Sequence, residues 1–289
     1  MKRPRILLVN PAIYDIAAYD FWLKPYGMLS VAGQLRGRAD FGLFDYLDRL
    51  DPFVAGRKPL QSDQWGRGRF FRERIGKPAC LENVPRYFRR FGLPRDCFAA
   101  FCAGRDPFDV VFIQTVMTYW YPAVAETIED VRRAWPNAQI VLGGNYVTIC
   151  GDHAAGLGAD LLVSGMDLEP LWQLLQVEPD PGQPALWEIY DRLNTGVLKL
   201  AQGCPFKCTY CSVPEVYGRF APRSLKRSLA ELDLLLACGA TDIAFYDDAL
   251  LYDAERVLIP FLEAVLRRGP AVNFHTPNAL NARFITAEL

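Results

Sequence analysis

Three cysteines lie close together in one short stretch, QGCPFKCTYC, residues 202–211. Cysteine thiolates are the usual protein ligands of iron–sulfur clusters, and the C-x3-C-x2-C spacing lets one loop surround a single cluster. A 4Fe–4S cluster has four irons, so three cysteines leave one iron open to a small molecule, as in catalytic zinc sites with an open position. The sequence predicts a 4Fe–4S cluster on Cys204, Cys208 and Cys211, with Tyr210 as a flat wall beside the open iron.

Two alternative roles of this cysteine loop stay open. A zinc ion would need a fourth ligand, and neither His153 nor His275 is near the loop in sequence. A non-catalytic iron–sulfur or cofactor-binding protein, such as a fragment of an enzyme, would carry the same loop. A disulfide framework is not expected in a chain of 289 residues with a full core. The remaining cysteines are scattered and are interpreted as buried thiols: Cys80, Cys97, Cys102, Cys150 and Cys238.

Composition limits the class of protein. Hydrophobic residues make up 51% and charged residues 22% of the chain, as in ordinary globular proteins, and the length suits two domains. The net charge of −1 argues against nucleic acid as a partner. No apolar stretch approaches the roughly 18 residues needed to span a membrane, and residues 6–9 are too short for a secretory signal. A cytoplasmic protein is therefore expected, and a reducing cytoplasm suits an oxygen-sensitive cluster.

Apolar runs alternate with helical patterns over residues 1–177. The predicted strands are residues 5–9, 41–46, 109–115, 139–142 and 160–163, and the predicted helices are residues 28–35 and 123–134. Such alternation is typical of an α/β domain, here a doubly wound parallel sheet with right-handed crossovers.

Ligands of such sheets bind beyond the carboxyl ends of the strands. Glycines at these ends let the backbone approach a flat or phosphate-bearing ligand closely. The alternative, ordinary strand-to-helix turns, stays open. The positions concerned are Asn10, Thr115, Gly143, Gly144, Asn145 and Gly165.

Residues 49–107 are too many for a simple connection between strands and are interpreted as an insert. Arginines alternate there with aromatic residues, which favours a helical lid with packed aromatics and solvated arginines. Binding of phosphate or nucleic acid is the alternative. Such a lid would help to exclude water from an active site.

Three prolines and a glycine mark a linker at residues 178–195, and a second domain follows at residues 196–289. Its predicted strands are residues 197–201, 241–246 and 271–275, and its predicted helices are residues 222–238 and 254–268, the latter capped by Asp253. The cysteine loop follows the first of these strands, where β/α barrels carry their active sites.

The C-x3-C-x-aromatic-C pattern resembles the signature of the radical S-adenosylmethionine (SAM) superfamily. The resemblance implies that SAM chelates the fourth iron and that an external one-electron donor, of flavodoxin or ferredoxin type, reduces the cluster. SAM then splits into methionine and a 5′-deoxyadenosyl radical, which abstracts hydrogen from the substrate. The resemblance also implies a SAM site at the end of the second strand, where the family has a G-G-E-type segment. Here an acidic segment takes that place, and its carboxylates suit the amino group of SAM. The alternative is that these aspartates cap a helix. The implied SAM-binding residues are Phe206, Tyr210, Tyr246, Asp247 and Asp248.

An N-terminal Rossmann-like domain before this signature resembles the cobalamin-binding subfamily, with turns at residues 25–29, 143–146 and 159–165 in the style of that domain. The resemblance implies cobalamin at the carboxyl edge of the sheet and, as one outcome, a cobalamin-dependent methyl transfer to carbon. The subfamily's D-x-H-x-x-G motif is matched only loosely by residues 151–156, so His153 is not expected to bind cobalt.

Only three β/α units can be counted after the linker, fewer than members of this superfamily have. The sequence therefore predicts an incomplete barrel, truncated at its C-terminus, with an unpaired edge and exposed apolar faces. Poor solubility or inactivity of the isolated chain is the expected consequence. No motif identifies the substrate.

Overall fold

A computed structural model describes residues 3–51, 60–278 and 280–286. Contacts divide the chain into two units: Met1–Met28 with Gly37–Glu178, and Leu29–Arg36 with Pro179–Leu289. The second unit thus includes Leu29–Arg36, which the sequence placed in the first domain. The reason is packing against the predicted linker, since Arg36 Nε lies 2.6 Å from Glu188 Oε1 and the Leu186 amide donates to the Leu29 carbonyl at 3.0 Å.

The first unit is built on a five-stranded parallel sheet, as predicted. Its strands are β1 (Arg5–Asn10), β3 (Asp40–Asp45), β6 (Val110–Thr115), β7 (Gln139–Gly144) and β8 (Leu161–Val163). The spatial order β3-β1-β6-β7-β8 is the flavodoxin-like order. After β1 the chain adds β3 on one side of it and the later strands on the other, so the topological switch point lies between β1 and β6. Residues 6–9 are fully buried, which explains the continuous apolar run of the central strand.

Helices alternate with the strands of this sheet along the chain. Pro122 stands in the first turn of the longest of them, where its missing N–H does no harm. The helices of the first unit are α2 (Arg95–Cys102), α3 (Tyr121–Ala134), α4 (Asn145–Ile149), α5 (Gly151–Ala155) and α6 (Glu169–Leu175), whereas α1 (Tyr26–Gly33) crosses the boundary and lies mostly in the second unit. No helix in the described ranges is long and apolar enough to cross a membrane.

The insert differs from the predicted helical lid. Its described part forms two short strands, β4 (Arg72–Arg74) and β5 (Arg89–Phe91), which join β2 (Ile13–Asp15) in an antiparallel sheet of order β2-β5-β4; helix α2 follows. Glycines and prolines between residues 66 and 85 disfavour a helix there. Residues 52–59 of the insert lie outside the described residues.

Arg90 departs from the solvated arginines that the sequence predicted. It is 2% exposed and lies 2.8 Å from Glu126 of α3, whose other carboxylate oxygen accepts a hydrogen bond from Tyr14 at 2.5 Å. A buried arginine needs such a partner, because an unpaired charge would be costly to desolvate. The pair attaches β5 to α3.

The second unit contains a parallel sheet of order β13-β12-β9, consistent with the predicted partial barrel. Its elements are β9 (Thr195–Leu198), β10 (Ala201–Gln202), β11 (Ala221–Pro222), β12 (Asp242–Phe245), β13 (Asn273–His275), α7 (Val213–Tyr217), α8 (Leu225–Ala237) and α9 (Leu258–Arg268). The predicted strand at residues 197–201 is interrupted, and β10 pairs with β11 in a separate antiparallel ribbon. The predicted cap at Asp253 is wrong: Asp253 has φ of 55° in a turn, and α9 begins at Leu258.

Candidate cluster and cofactor sites

The cysteine loop leaves β10 and ends at α7. Its three thiols are free: Cys208 is exposed, and Cys204 and Cys211 are half-buried. A turn in which the Cys211 amide donates to the Cys208 carbonyl at 3.1 Å shapes the second half of the loop. One short segment thus presents all three predicted ligands.

Gly203 fixes the path of the chain into the loop. Its φ is +68°, and a Cβ there would lie 2.5 Å from the carbonyl oxygen of Gly218 and 2.6 Å from that of Arg219. Glycine adopts this backbone conformation readily, whereas other residues are strained by it. The glycine before the first cysteine is therefore required by the tight approach of these two carbonyls.

Asp247, which follows β12, holds the backbone just before the loop. It is 3% exposed, and its carboxylate accepts hydrogen bonds from the backbone amides of Leu200 at 3.0 Å and Ala201 at 2.7 Å. Burial raises the pKa of Asp247 to about 6. Asn278 donates to the Asp247 carbonyl at 3.1 Å. Asp247 therefore holds the backbone before the loop, and its contact with the SAM amino group stays a prediction.

Asp248 forms an ion pair that the sequence did not predict. Its Oδ2 lies 3.2 Å from Lys199 Nζ, and the ammonium group also lies 4.2 Å from the centre of the Tyr217 ring. Lys199 is 5% exposed. The sequence contains one signal for this pair: Lys199 lies inside an apolar run. A buried ammonium group needs a counter-charge nearby.

The surroundings of Cys204 change the pKa of its thiol, which must lose its proton to bind iron. Burial raises the pKa of the Cys204 thiol, and a hydrogen bond from the Phe206 backbone amide to the sulfur lowers it in part. The charges that raise it further belong to Asp248, Cys211 and Cys208. An amide donor to a ligand sulfur is a feature that tunes iron–sulfur clusters.

No three His, Cys, Asp or Glu side chains converge on one metal ion anywhere in the described residues. In a cubane cluster each thiolate binds a different iron. Three thiolates at this spacing in one loop are the donor set that a 4Fe–4S cluster uses.

The aromatic residues predicted to bind SAM lie in different settings. Phe206 packs against Tyr252 and Phe284, with ring centroids 6.0 Å and 5.9 Å away. Tyr210 is 90% exposed. Tyr246 is half-buried, and its amide donates to the Leu198 carbonyl at 2.9 Å, which continues the pairing of β12 with β9.

In the first unit, Asn10 and Thr115 flank the point between β1 and β6 where the strand order reverses. Both are buried, at 3% and 2% exposure. The Asn10 amide donates to Asp45 Oδ1 at 2.7 Å, and the Thr115 hydroxyl donates to the Gly143 carbonyl at 3.0 Å. Their side chains therefore shape the carboxyl edge of the sheet.

The glycines at this edge bring backbone segments close together. Gly144 has φ of +119°, and a Cβ there would lie 2.1 Å from the Thr115 carbonyl oxygen. Gly143 adjoins it, and Asn145 begins α4. Gly165, after β8, donates its amide to Thr148 Oγ1 at 2.8 Å. The predicted positions thus share one edge, as the parallel pairing of β6, β7 and β8 requires.

His153 lies on α5, where its Nδ1 is 2.6 Å from the Tyr146 hydroxyl and its ring is 4.7 Å from that of Tyr121. His275 contacts Asp242 Oδ1 at 2.9 Å through Nε2. Both imidazoles therefore have partners within their own unit.

No protein-family model matches the chain. Among curated proteins, it is 36% identical to the ribosomal protein uS12 methylthiotransferase RimO of Geobacter sulfurreducens over 92 residues, 30% of this chain and 21% of that protein. It is 26% identical to RimO of Chlorobium phaeobacteroides strain BS1 over 57% of this chain and 39% of that protein. An uncharacterized methyltransferase of Pyrococcus horikoshii, PH0819, is 26% identical over 53% of this chain and 42% of that protein.

Two solved structures share the fold over nearly the whole chain. Both are of TsrM, a radical SAM methyltransferase of Kitasatospora setae. One holds tryptophan and a SAM analogue; it has a TM-score of 0.58, 17% identity, and coverage of 91% of this chain and 51% of TsrM. The other holds cobalamin and a 4Fe–4S cluster; it has a TM-score of 0.57, 16% identity, and coverage of 92% and 53%.

The chain therefore spans about half the length of the solved structures that it matches, and less than half the length of these curated relatives. The cysteine spacing, these relatives and the shared fold together support a radical SAM superfamily protein.

Proposed function

We propose that this chain binds a 4Fe–4S cluster through Cys204, Cys208 and Cys211 and binds SAM at the remaining iron, as part of an enzyme that cleaves SAM reductively. The observation that carries the proposal is the loop itself, which presents three free thiols in one short segment. The relatives named as methylthiotransferases and the methyltransferase TsrM support the enzyme class.

When bound, the cluster supplies the electron that cleaves SAM. The residues of this chain prepare its site. Gly203 and Asp247 fix the backbone before the first cysteine, and the Phe206 amide stabilises the Cys204 thiolate. The Phe206 ring packs against Tyr252 and Phe284, which places apolar surface next to the first cysteine. Water exclusion protects a reactive radical from side reactions.

Equilibrium dialysis with labelled SAM tests this function. After anaerobic reconstitution with iron and sulfide, we expect the chain to bind one SAM, whereas the chain without iron should bind at least tenfold more weakly. The reason is that the open iron supplies the anchoring bonds. Equal affinity of both forms would contradict the proposal. A tightly bound stoichiometric zinc ion in the purified chain would favour the zinc alternative.

We further propose that the carboxyl edge of the five-stranded sheet binds cobalamin, that the reaction is methyl transfer to carbon, and that a flavodoxin or ferredoxin in the cytoplasm supplies the electron. The flavodoxin-like strand order supports a ligand at this edge. Large apolar side chains are exposed after β6, β7 and β8, as a broad flat ligand requires. They are Met117, Tyr119, Tyr121, Ile149 and Met166.

Gly143→Leu tests the cobalamin site. The nearest side-chain atom to a Cβ at Gly143 would be Val163 Cβ at 3.7 Å, so the backbone tolerates a side chain, but a leucine adds bulk at the edge. We expect methylcobalamin affinity, measured from the change in its absorption spectrum, to fall at least tenfold. Gly76→Leu is the matched control, because a Cβ at Gly76 meets nothing within 4 Å. Unchanged affinity in Gly143→Leu would argue against this edge.

A further inference from the structure

One segment of the insert carries a strong positive charge. Residues 67–90 hold eight arginines and lysines but only two acidic residues, whereas the whole chain has a net charge of −1. The low net charge of the chain therefore averages over a basic segment, and the local charge is what a polyanionic partner would meet.

Four arginines of this segment have no acidic partner. Within the described residues, the ion pairs of the segment involve Arg67 and Arg90. Asp15 of β2 stands opposite one of the four, but its carboxylate accepts hydrogen bonds from the Trp120 indole at 3.0 Å and the Ile16 amide at 2.6 Å. The four unpaired arginines are Arg72, Arg74, Arg86 and Arg89.

Two of these arginines face each other across the ribbon of β4 and β5. Arg74 and Arg89 are directly opposite in the antiparallel register, and their guanidinium carbons lie 4.1 Å and 5.4 Å from the centre of the Tyr87 ring. Like charges at directly opposite positions are destabilising. An anion bound between the two groups would remove this repulsion.

Protection of the sheet edge explains only part of this arrangement. β4 is an edge strand, and charged side chains on an edge prevent pairing with another chain. Arg89, however, lies on the central strand β5, and Arg86 lies in the turn before it. Their charges are therefore not needed to protect the edge.

Exposed aromatic rings accompany the arginines. Tyr87 and Phe21 are each 52% exposed, and the guanidinium carbon of Arg67 lies 5.9 Å from the centre of the Phe21 ring. Asp20 and Gly68 exchange two backbone hydrogen bonds, which holds Phe21 beside the insert. Arginines that bind phosphate, combined with aromatic rings on which bases stack, are typical of surfaces that bind single-stranded nucleic acid.

We propose that the ribbon of β4 and β5 binds the phosphate backbone of a single-stranded nucleic acid through Arg72, Arg74, Arg86 and Arg89. Small-molecule sites are concave, whereas all three residues of β4 are exposed, which favours an extended polyanion. Binding is non-covalent and uses neither the cluster nor cobalamin. The inference therefore goes beyond the proposed function and does not depend on it.

The test is the fluorescence anisotropy of a labelled oligouridylate of about 12 nucleotides, titrated with the full chain at several salt concentrations. Each phosphate contact to a single strand contributes about −0.7 to the slope of log K against log salt, so four contacts predict about −2.8. The double variant Arg74→Gln with Arg89→Gln should have a slope of about −1.4 and bind at least tenfold more weakly at about 50 mM salt.

Arg256→Gln with Arg267→Gln is the matched control, because it removes the same charge from exposed positions of the second unit. Its affinity should stay within twofold of wild type. Thermal unfolding should show the ribbon variant to be at least as stable as wild type, since the opposed charges are gone. If it is less stable, Arg86→Gln decides the question, because Arg86 is exposed outside the strands and its loss should reduce the slope by about 0.7.

Equal losses of affinity in the two double variants, or a slope that neither ribbon variant changes, would overturn the inference. Equal affinity for a polyglutamate of the same charge would also overturn it, because the surface would then bind any polyanion. None of these measurements involves iron, so the proposed function would stand in either case.

Discussion

Cys208→Ala is expected to reduce the iron content of the reconstituted chain from about four irons to less than one. Cys208 is exposed and lies in the middle of the loop, so its removal leaves two thiolates for a cluster that has three ligands in the chain. Because the side chain packs little, folding should be retained. Iron and sulfide analysis with the visible absorption spectrum measures the effect.

Cys80→Ala is the matched control, since Cys80 is also an exposed free thiol but lies in the insert, outside the loop. Its iron content should equal that of wild type. Equal loss in both variants would show that iron binds non-specifically to thiols. Full iron content in Cys208→Ala would contradict the assignment of the ligands.

Asp247→Ala is expected to lower the free energy of unfolding by about 2–4 kcal/mol, because two buried backbone amides lose their acceptor and each unsatisfied group costs about 1–3 kcal/mol. Hydrogen exchange of the Leu200 and Ala201 amides should accelerate at least tenfold. Asp233→Ala is the control: its carboxylate is 58% exposed and pairs with Arg268 at the surface. That change should cost less than about 1 kcal/mol.

The same carboxylate predicts a pH dependence. Burial raises the pKa of Asp247 to about 6 from its ordinary value of 3.8. Between these values the folded chain holds a proton that the unfolded chain has released, so this group makes stability fall as the pH rises. The loss amounts to about 3 kcal/mol between pH 4 and pH 6. Urea unfolding of Asp247→Asn should lack this component, and an identical pH profile for both proteins would contradict the assigned burial effect.

The strands of the two parallel sheets could be predicted because each is a local feature of the sequence. Buried parallel strands appear as continuous apolar runs, as at residues 6–9 and 110–113, and the loops at their carboxyl ends follow directly. The cysteine loop is equally local. Its residues and its position after a strand could therefore be read without knowledge of distant contacts.

Pairings between distant residues could not be predicted in this way. The insert forms strands because Arg72–Arg74 pairs with Arg89–Phe91, which in turn pairs with Ile13–Asp15, and no local pattern specifies that register. The acidic residues after β12 show the same limit. Asp247 finds backbone amides 46 and 47 residues away, and Asp248 finds Lys199, 49 residues away.

The central claim is that the three cysteines hold a 4Fe–4S cluster whose fourth iron binds SAM. The EPR spectrum of the dithionite-reduced, reconstituted chain, recorded before and after addition of SAM, tests this claim most directly. We predict the signal of a reduced 4Fe–4S cluster, changed in its g-values by SAM, because SAM adds ligands to one iron. A signal that SAM leaves unchanged, or the absence of any cluster signal, would contradict the account.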